Sequence, residues 1–161
     1  MATTPTALSR STIIQKVWEN IYDRLKDNVA TVTITGSTNV TIQTYTNSFP
    51  TGVVDSKSDY PILIVNSPQI SWERQTLNKK RCEGSFSVDI YTTQSESCDK
   101  FIDAIVESIE SYRDDLKGVK MYNVNLESTD KDQAQRGAFN VHMATCTFNF
   151  KYLFTETNIG A

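Results

Sequence analysis

Apolar residues recur along this chain with two periods, and the switches between them mark out its elements. Ile14, Val17, Trp18, Ile21 and Leu25 fall at helical spacing and predict a first helix over 11–27. Thr12 with Gln15 reads as a capping box, Ser9 or Ser11 offers another N-cap, and Asp27-Asn28 ends the helix. The period then drops to two. Residues 29–36 put Val32 and Ile34 on one face and Thr31, Thr33 and Thr35 on the other, a half-buried strand closed by Gly36. Val40, Ile42 and Tyr45 suggest a weaker second strand. The polar stretch 46–60 reads as a long surface loop.

Pro61 opens the run Ile62-Leu63-Ile64-Val65, which is apolar on both faces and predicts a central strand covered on both sides. Pro68 consigns the next stretch, with Ile70 and Trp72, to an edge or a bulge. After the polar, basic stretch 73–81, Cys82, Gly84, Phe86, Val88 and Ile90 share one face of a long strand. Phe101, Ile105, Ile109, Tyr112 and Leu116, widened by Ile102 and Val106, predict a helix over 96–117. Glu96 and Asp99 suit its N-terminal dipole, and Gly118 is its expected C-cap.

A strand over 119–126 is expected to align Tyr122, Val124 and Leu126. Residues 127–137 are either a loop or the tip of a long hairpin. In the last strand, 139–154, Phe139, Val141 and Met143 are odd-numbered, whereas Cys146, Phe148, Phe150, Tyr152 and Phe154 are even. A bulge near 143–145 repairs the phase; alternatively the strand enters a second contact surface there. The predicted fold is α+β, a single, mostly antiparallel, twisted sheet with two helices packed on one face. Residues 1–10 read as a flexible arm, 11–154 as one domain and 155–161 as a polar tail.

Composition narrows the chemistry. The chain has 161 residues, enough for one domain with a real core. Its 16 basic and 19 acidic residues give a net charge of -3, which argues against a polyanion binder. Cys82, Cys98 and Cys146 are odd in number and lack CxxC spacing, so neither a disulfide framework nor a zinc ribbon is expected. Residues 1–10 lack the apolar core of a signal peptide, and no run approaches the ~20 residues of a membrane span. The expectation is a soluble protein made in the cytoplasm.

Candidate catalytic groups are sparse. His142 is the one histidine and has no nucleophile motif beside it. Cys98 lies in the first turn of the long helix, where the dipole favours a lowered pKa. Cys82 and Cys146 lie on apolar strand faces and read as small core residues. Asp114-Asp115 and Asp130 with Asp132 read as solvated pairs, and no glycine-rich phosphate loop is present. No catalytic residue, cofactor or metal is therefore expected. Lys79-Lys80-Arg81 is the densest basic cluster, able to meet nucleic-acid phosphates or an acidic protein patch.

Three segments carry a family resemblance: Tyr60-Pro61-Ile62-Leu63-Ile64; SVDIYTTQSE at 87–96; and FIDAIVESIESYRDDL at 101–116 followed by a hairpin. In this order the chain resembles the tail terminator, or tail-completion, proteins of long-tailed bacteriophages over about 60–154, and more loosely over the first helix. The resemblance implies a structural virion protein at the head-proximal end of the tail. Its copies form a hexameric ring that caps the tail tube, stops polymerisation and docks on the head connector. The implied partners are other copies, the tube protein and the head-completion or connector protein, with DNA as passing cargo and no membrane. The expected contact residues are Phe49 and Lys57 in the loop, Arg74, Lys79, Lys80 and Arg81 in one arm, and Asp130, Lys131, Asp132 and Arg136 in the other. Two other classes compete: a cytosolic ferredoxin-like ligand-binding or regulatory module with a preformed pocket, and a small enzyme in which His142, Cys98 or an acidic pair converge.

Overall fold

A computed structural model describes residues 4–48, 57–76, 79–136 and 139–155. Among these residues the fold is α+β, with three α-helices and a mostly antiparallel sheet. A 3-10 turn at Arg10–Thr12 leads into α1 (Ile13–Asn28), which buries Ile13, Val17, Ile21 and Leu25. Ile14, expected in that stripe, is 50% exposed. The Thr12–Gln15 capping box does not form. Gln15 instead donates to Glu19 at 2.9 Å, and the Ser9 and Thr12 hydroxyls bond each other at 2.6 Å. Residues 4–9 make contacts with the body of the fold. Buried Asn20 accepts from the Thr6 N–H at 2.7 Å and donates to the Thr6 carbonyl at 3.0 Å, and Leu8 enters the core.

The expectation of a single sheet needs correction. β1 (Thr31–Ile34) and β2 (Thr38–Thr41) form a separate two-stranded sheet. Their three-residue turn, 35–37, places Gly36 at φ 86° and Ser37 at φ 58°, both in the left-handed region that glycine enters without steric cost. β3 (Thr44–Thr46) joins the large sheet, pairing parallel with β4 (Ile62–Val65). β4 is covered on both faces as expected: Leu63 and Val65 enter the main core, Ile62 and Ile64 a second cluster. The Tyr60–Pro61 peptide is cis.

β5 (Gln69–Thr76) and β6 (Lys79–Thr92) form a hairpin in which β5 is an edge strand. β4 and β5 lie in succession along the same side of β6, separated by Asn66-Ser67-Pro68. Next come α2 (Ser95–Ser111) and α3 (Arg113–Gly118), where one helix was expected. The break falls at Tyr112, whose N–H closes tightly onto Ile109 O at 3.1 Å. The C-terminal cap also lies beyond Gly118. Lys120 takes the left-handed conformation at φ 71°, while Met121 N–H reaches Leu116 O at 2.9 Å and Lys120 N–H reaches Lys117 O at 3.0 Å. That is a Schellman cap with buried Met121 and Leu116 as its apolar pair.

β7 (Tyr122–Arg136) and β8 (Phe139–Thr155) complete the large sheet, whose order is β3-β4-β6-β8-β7. β8 is antiparallel to both neighbours, so β6–α2–β7 is a split β-α-β unit with β8 inserted. The segment 127–136 is hairpin, not loop. Tyr122, Val124 and Leu126 do not share a face: Val124 is buried, but Tyr122 and Leu126 are exposed. Asn123 at φ 53° and two register shifts break the alternation there.

The expected bulge at 143–145 is absent. β6 and β8 pair without a register shift from Lys79↔Thr155 to Thr92↔His142. The phase change marks a change of buried face, in line with the alternative of a second contact surface. Ala144, Cys146, Phe148 and Phe150 join the main core with Val17, Ile21, Phe101 and Ile105 from α1 and α2. Val141 and Phe139 join Tyr60, Ile62, Ile64 and Tyr91 in the cluster on the opposite face. At that end the sheet is apolar on both sides, so odd and even residues are both covered.

Candidate interaction surfaces

The sheet register decides where the two polar arms lie. The β5–β6 ribbon reaches the level where Lys79 faces Thr155; the β7–β8 ribbon runs the other way, past the level where Thr92 faces His142, to the pair Arg136 and Phe139. At about 3.4 Å per residue, the intervening length of β6 spans roughly 44 Å. The arms are therefore ribbons at opposite ends of one sheet and do not converge on a common site.

At the first end, Arg74 pairs with Lys80 and Glu73 with Arg81, and the register shifts between Arg74 and Thr76. The Arg81 guanidinium lies 2.6 Å from Glu73 and 3.3 Å from Glu83, and Lys151 approaches Glu83 at 3.7 Å. These groups form an ionic ladder across β5, β6 and β8, so much of Arg81's charge is balanced within the chain. Farther along the same face, Asp89 accepts from Thr145 at 2.7 Å and from Asn66 at 2.9 Å, where the polar strip meets the second apolar cluster.

At the other end, Lys57 is exposed in a 3-10 turn, Lys57–Asp59, that leads into Tyr60. The Tyr60 ring packs edge-on to Phe139 at 6.0 Å, which ties this turn to the β7–β8 ribbon. Asp130 and Asp132 are exposed opposite Thr145 and Met143, on the sheet face that carries the ladder. Lys131 points the other way and ion-pairs with Asp99 of α2. Arg136 pairs with Phe139 at the end of the described β7–β8 ladder. Phe49 lies outside the described residues. The structure thus groups Lys57 with Asp130, Lys131, Asp132 and Arg136, and separates them from Arg74, Lys79, Lys80 and Arg81.

The sequence-level candidates for catalysis do not assemble. His142 lies half-buried in β8 opposite Thr92. Cys98 is 3% exposed, and burial pushes its thiol up, opposite to the lowering expected from the helix dipole. Burial likewise pushes Cys82 up to about 11 and Cys146 up to about 12. Asp114 and Asp115 are exposed in α3. Among the described residues, no group of three or more His, Cys, Asp or Glu is arranged to hold a metal ion. No described helix is long and apolar enough to cross a membrane.

Sequence reasoning missed a groove of ≈ 630 Å³ between the start of α1 and β5, lined by Ile13, Ile14, Trp18, Ile70 and Trp72 together with polar residues such as Gln15 and Asn47. Ile14 is 50% and Trp72 43% exposed there. The available signal was a tryptophan just past Pro68 in an edge strand. Trp18 also donates its indole N–H to Val65 O at 2.7 Å, pinning α1 beside the groove to the end of β4. No protein-family model and no curated protein matches this chain.

Proposed function

We propose that this chain is a structural ring subunit of a long-tailed phage, closing the head-proximal end of the tail tube and joining it to the head. The observation that carries the reading is the position of the polar arms: two β-ribbons at opposite ends of one sheet. A ring subunit needs two unlike lateral surfaces and a contact for each axial neighbour. The sheet offers unlike edges, β7 on one side and β3 with β5 on the other. Residues 129–135 of β7 are all exposed, and no strand lies outside β7 among the described residues. The two ribbons, at opposite ends of the sheet, supply the axial surfaces. Such work is binding, with no bond made or broken.

The test is molar mass by light scattering over concentration and salt, with negative-stain images of the same samples, alone and with tail tubes. Closed rings of about six subunits, or a cap confined to tube ends, are the expected result. A compact dimer under every condition, with bare tube ends, would overturn the reading in favour of the ligand-binding module.

A further inference from the structure

Among the described residues, the large apolar side chains that stand exposed are Ile14, Trp72, Tyr122, Leu126 and Leu153. They fall into two groups. Ile14 and Trp72 line the groove between the start of α1 and β5. Tyr122 and Leu126 lie on β7, the strand at the opposite margin of the sheet, and Leu153 of β8 stands two residues beyond Lys151, the partner of Tyr122. The register sets both groups at one height. Ser71, Glu83, Lys151 and Tyr122 form a single row across β5, β6, β8 and β7. Leu126 is level with Phe148 and Phe86, one residue past the row that begins at Gln69. Ile70 and Trp72, the β5 wall of the groove, therefore span the same band of the sheet as Tyr122 to Leu126.

Both patches are free of formal charge. Among the described residues the groove is lined by uncharged side chains alone. β7 reads Tyr-Asn-Val-Asn-Leu over 122–126, and its charged residues begin only at Glu127. Charge on an edge strand keeps other chains away, and the centres of interfaces are depleted of it. Asn123 at φ 53° and two register shifts also break this margin, so it offers side chains to a neighbour and not a regular ladder. We infer that Tyr122 and Leu126 of one copy seat in the groove between α1 and β5 of the next. The inference rests on the ring reading and supplies its lateral contact. A groove of ≈ 630 Å³ accommodates a tyrosine ring, and Trp and Tyr are the residues that anchor such contacts. Knob and groove are different patches on opposite margins, so the contact is head-to-tail. Because they share one height along the strands, copies arranged about an axis parallel to the strands meet without a rise, and such a contact closes into a ring instead of growing into a helix.

Two double variants test this: Tyr122→Ser with Leu126→Ser on the knob, and Ile14→Ser with Trp72→Ser in the groove. Thermal melts check that both remain folded, and sedimentation velocity follows association. Each variant alone is expected to associate at least roughly thirtyfold more weakly than the wild type, the loss that follows truncation of buried aromatic anchors. An equimolar mixture is expected to form heterodimers and nothing larger. The intact groove of one variant still takes the intact knob of the other, and the pair then presents only damaged surfaces. Wild-type association should persist as salt rises, because the contact holds no charged side chain. Variants that form rings like the wild type assign the groove to another partner and overturn the inference, leaving the ring reading standing. A mixture that stays monomeric, or wild-type rings that come apart in salt, overturn it too. A wild type that is monomeric in solution also overturns it, while the capping reading is decided separately on tube ends. A compact wild-type dimer under every condition overturns the ring reading and this lateral contact with it.

Discussion

Consider Gly84→Ala. Gly84 lies opposite Ile70 of β5 and Phe150 of β8, in ordinary extended strand. A Cβ at this position falls 2.6 Å from Phe150 Cζ and 2.8 Å from the Gln69 carbonyl oxygen. Neither neighbour yields freely. Phe150 is 1% exposed and lies 6.2 Å from Phe86, which stacks on Phe148 at 5.1 Å. Gln69 O is main chain, and moving it disturbs the start of the β5–β6 ladder. Overpacking of this kind costs about 1–3 kcal/mol. Alanine returns about 0.4–1 kcal/mol by restricting the unfolded chain. The clash therefore wins, with a net loss of about 1–2 kcal/mol and a fall in Tm of roughly 3–8 °C for a domain of this size. Urea unfolding followed by circular dichroism measures it. Adding Phe150→Leu to Gly84→Ala should recover part of the loss, with a coupling of at least about 0.5 kcal/mol in a double-mutant cycle. A Gly84→Ala protein as stable as the wild type, or strictly additive variants, would refute the account of Gly84 as the seat of Phe150.

Asn20→Ala removes the clasp on Thr6 and should destabilise the protein by about 1–3 kcal/mol, with faster hydrogen exchange at the Thr6 amide; unchanged exchange would show that Asn20 does not hold the segment. The three buried thiols should react with a thiol reagent at about pH 8 only as fast as the protein unfolds, because burial keeps them protonated; a thiol labelled rapidly in native protein contradicts the packing described for β6, β8 and α2. Glu96 accepts from the Thr35 hydroxyl at 2.7 Å and the Thr35 N–H at 2.9 Å, which hold its carboxyl below the ordinary value of 4.5. The folded state then binds this proton more weakly than the unfolded state, so the contribution is complete above the ordinary carboxylate range and disappears as pH falls through the lowered value. Glu96→Gln should flatten that acid limb of the stability curve; parallel wild-type and variant curves would exclude the linkage.

Periodicity made much of the core legible. The stripes of Val17, Ile21 and Leu25, of Phe101, Ile105 and Ile109, and of Phe86, Val88 and Ile90 each reflect one buried face, and the main cluster contains all of them. Alternation reports which face is covered, not whether the strand is straight. The phase change in β8 therefore resembled a bulge, although a second cluster had covered the other face. Asn123 shows the converse: a left-handed residue and two register shifts reverse a face while the apolar spacing stays regular. The polar side chains of 127–137 left a loop and a hairpin tip equally open, because a ribbon is held by main-chain bonds and charge suits an edge strand. The separation of the two arms was beyond the sequence, since it depends on the pairing of β6 with β8. So was the Lys131–Asp99 contact, which joins residues 32 positions apart.

The location of β8 bears on how the chain is made. It follows every other described strand in sequence, yet it lies inside the sheet between β6 and β7. During synthesis α2 can form early from local contacts, but the two ladders that close the sheet must wait for β8 to emerge from the ribosome. Until then β6 and β7 are both incomplete on their inner sides. A chain cut short at Thr145 would lose most of the β6–β8 ladder and a large part of the β7–β8 ladder, along with Cys146, Phe148 and Phe150. Such fragments would expose adhesive strand margins to one another, making premature termination a direct route to aggregation.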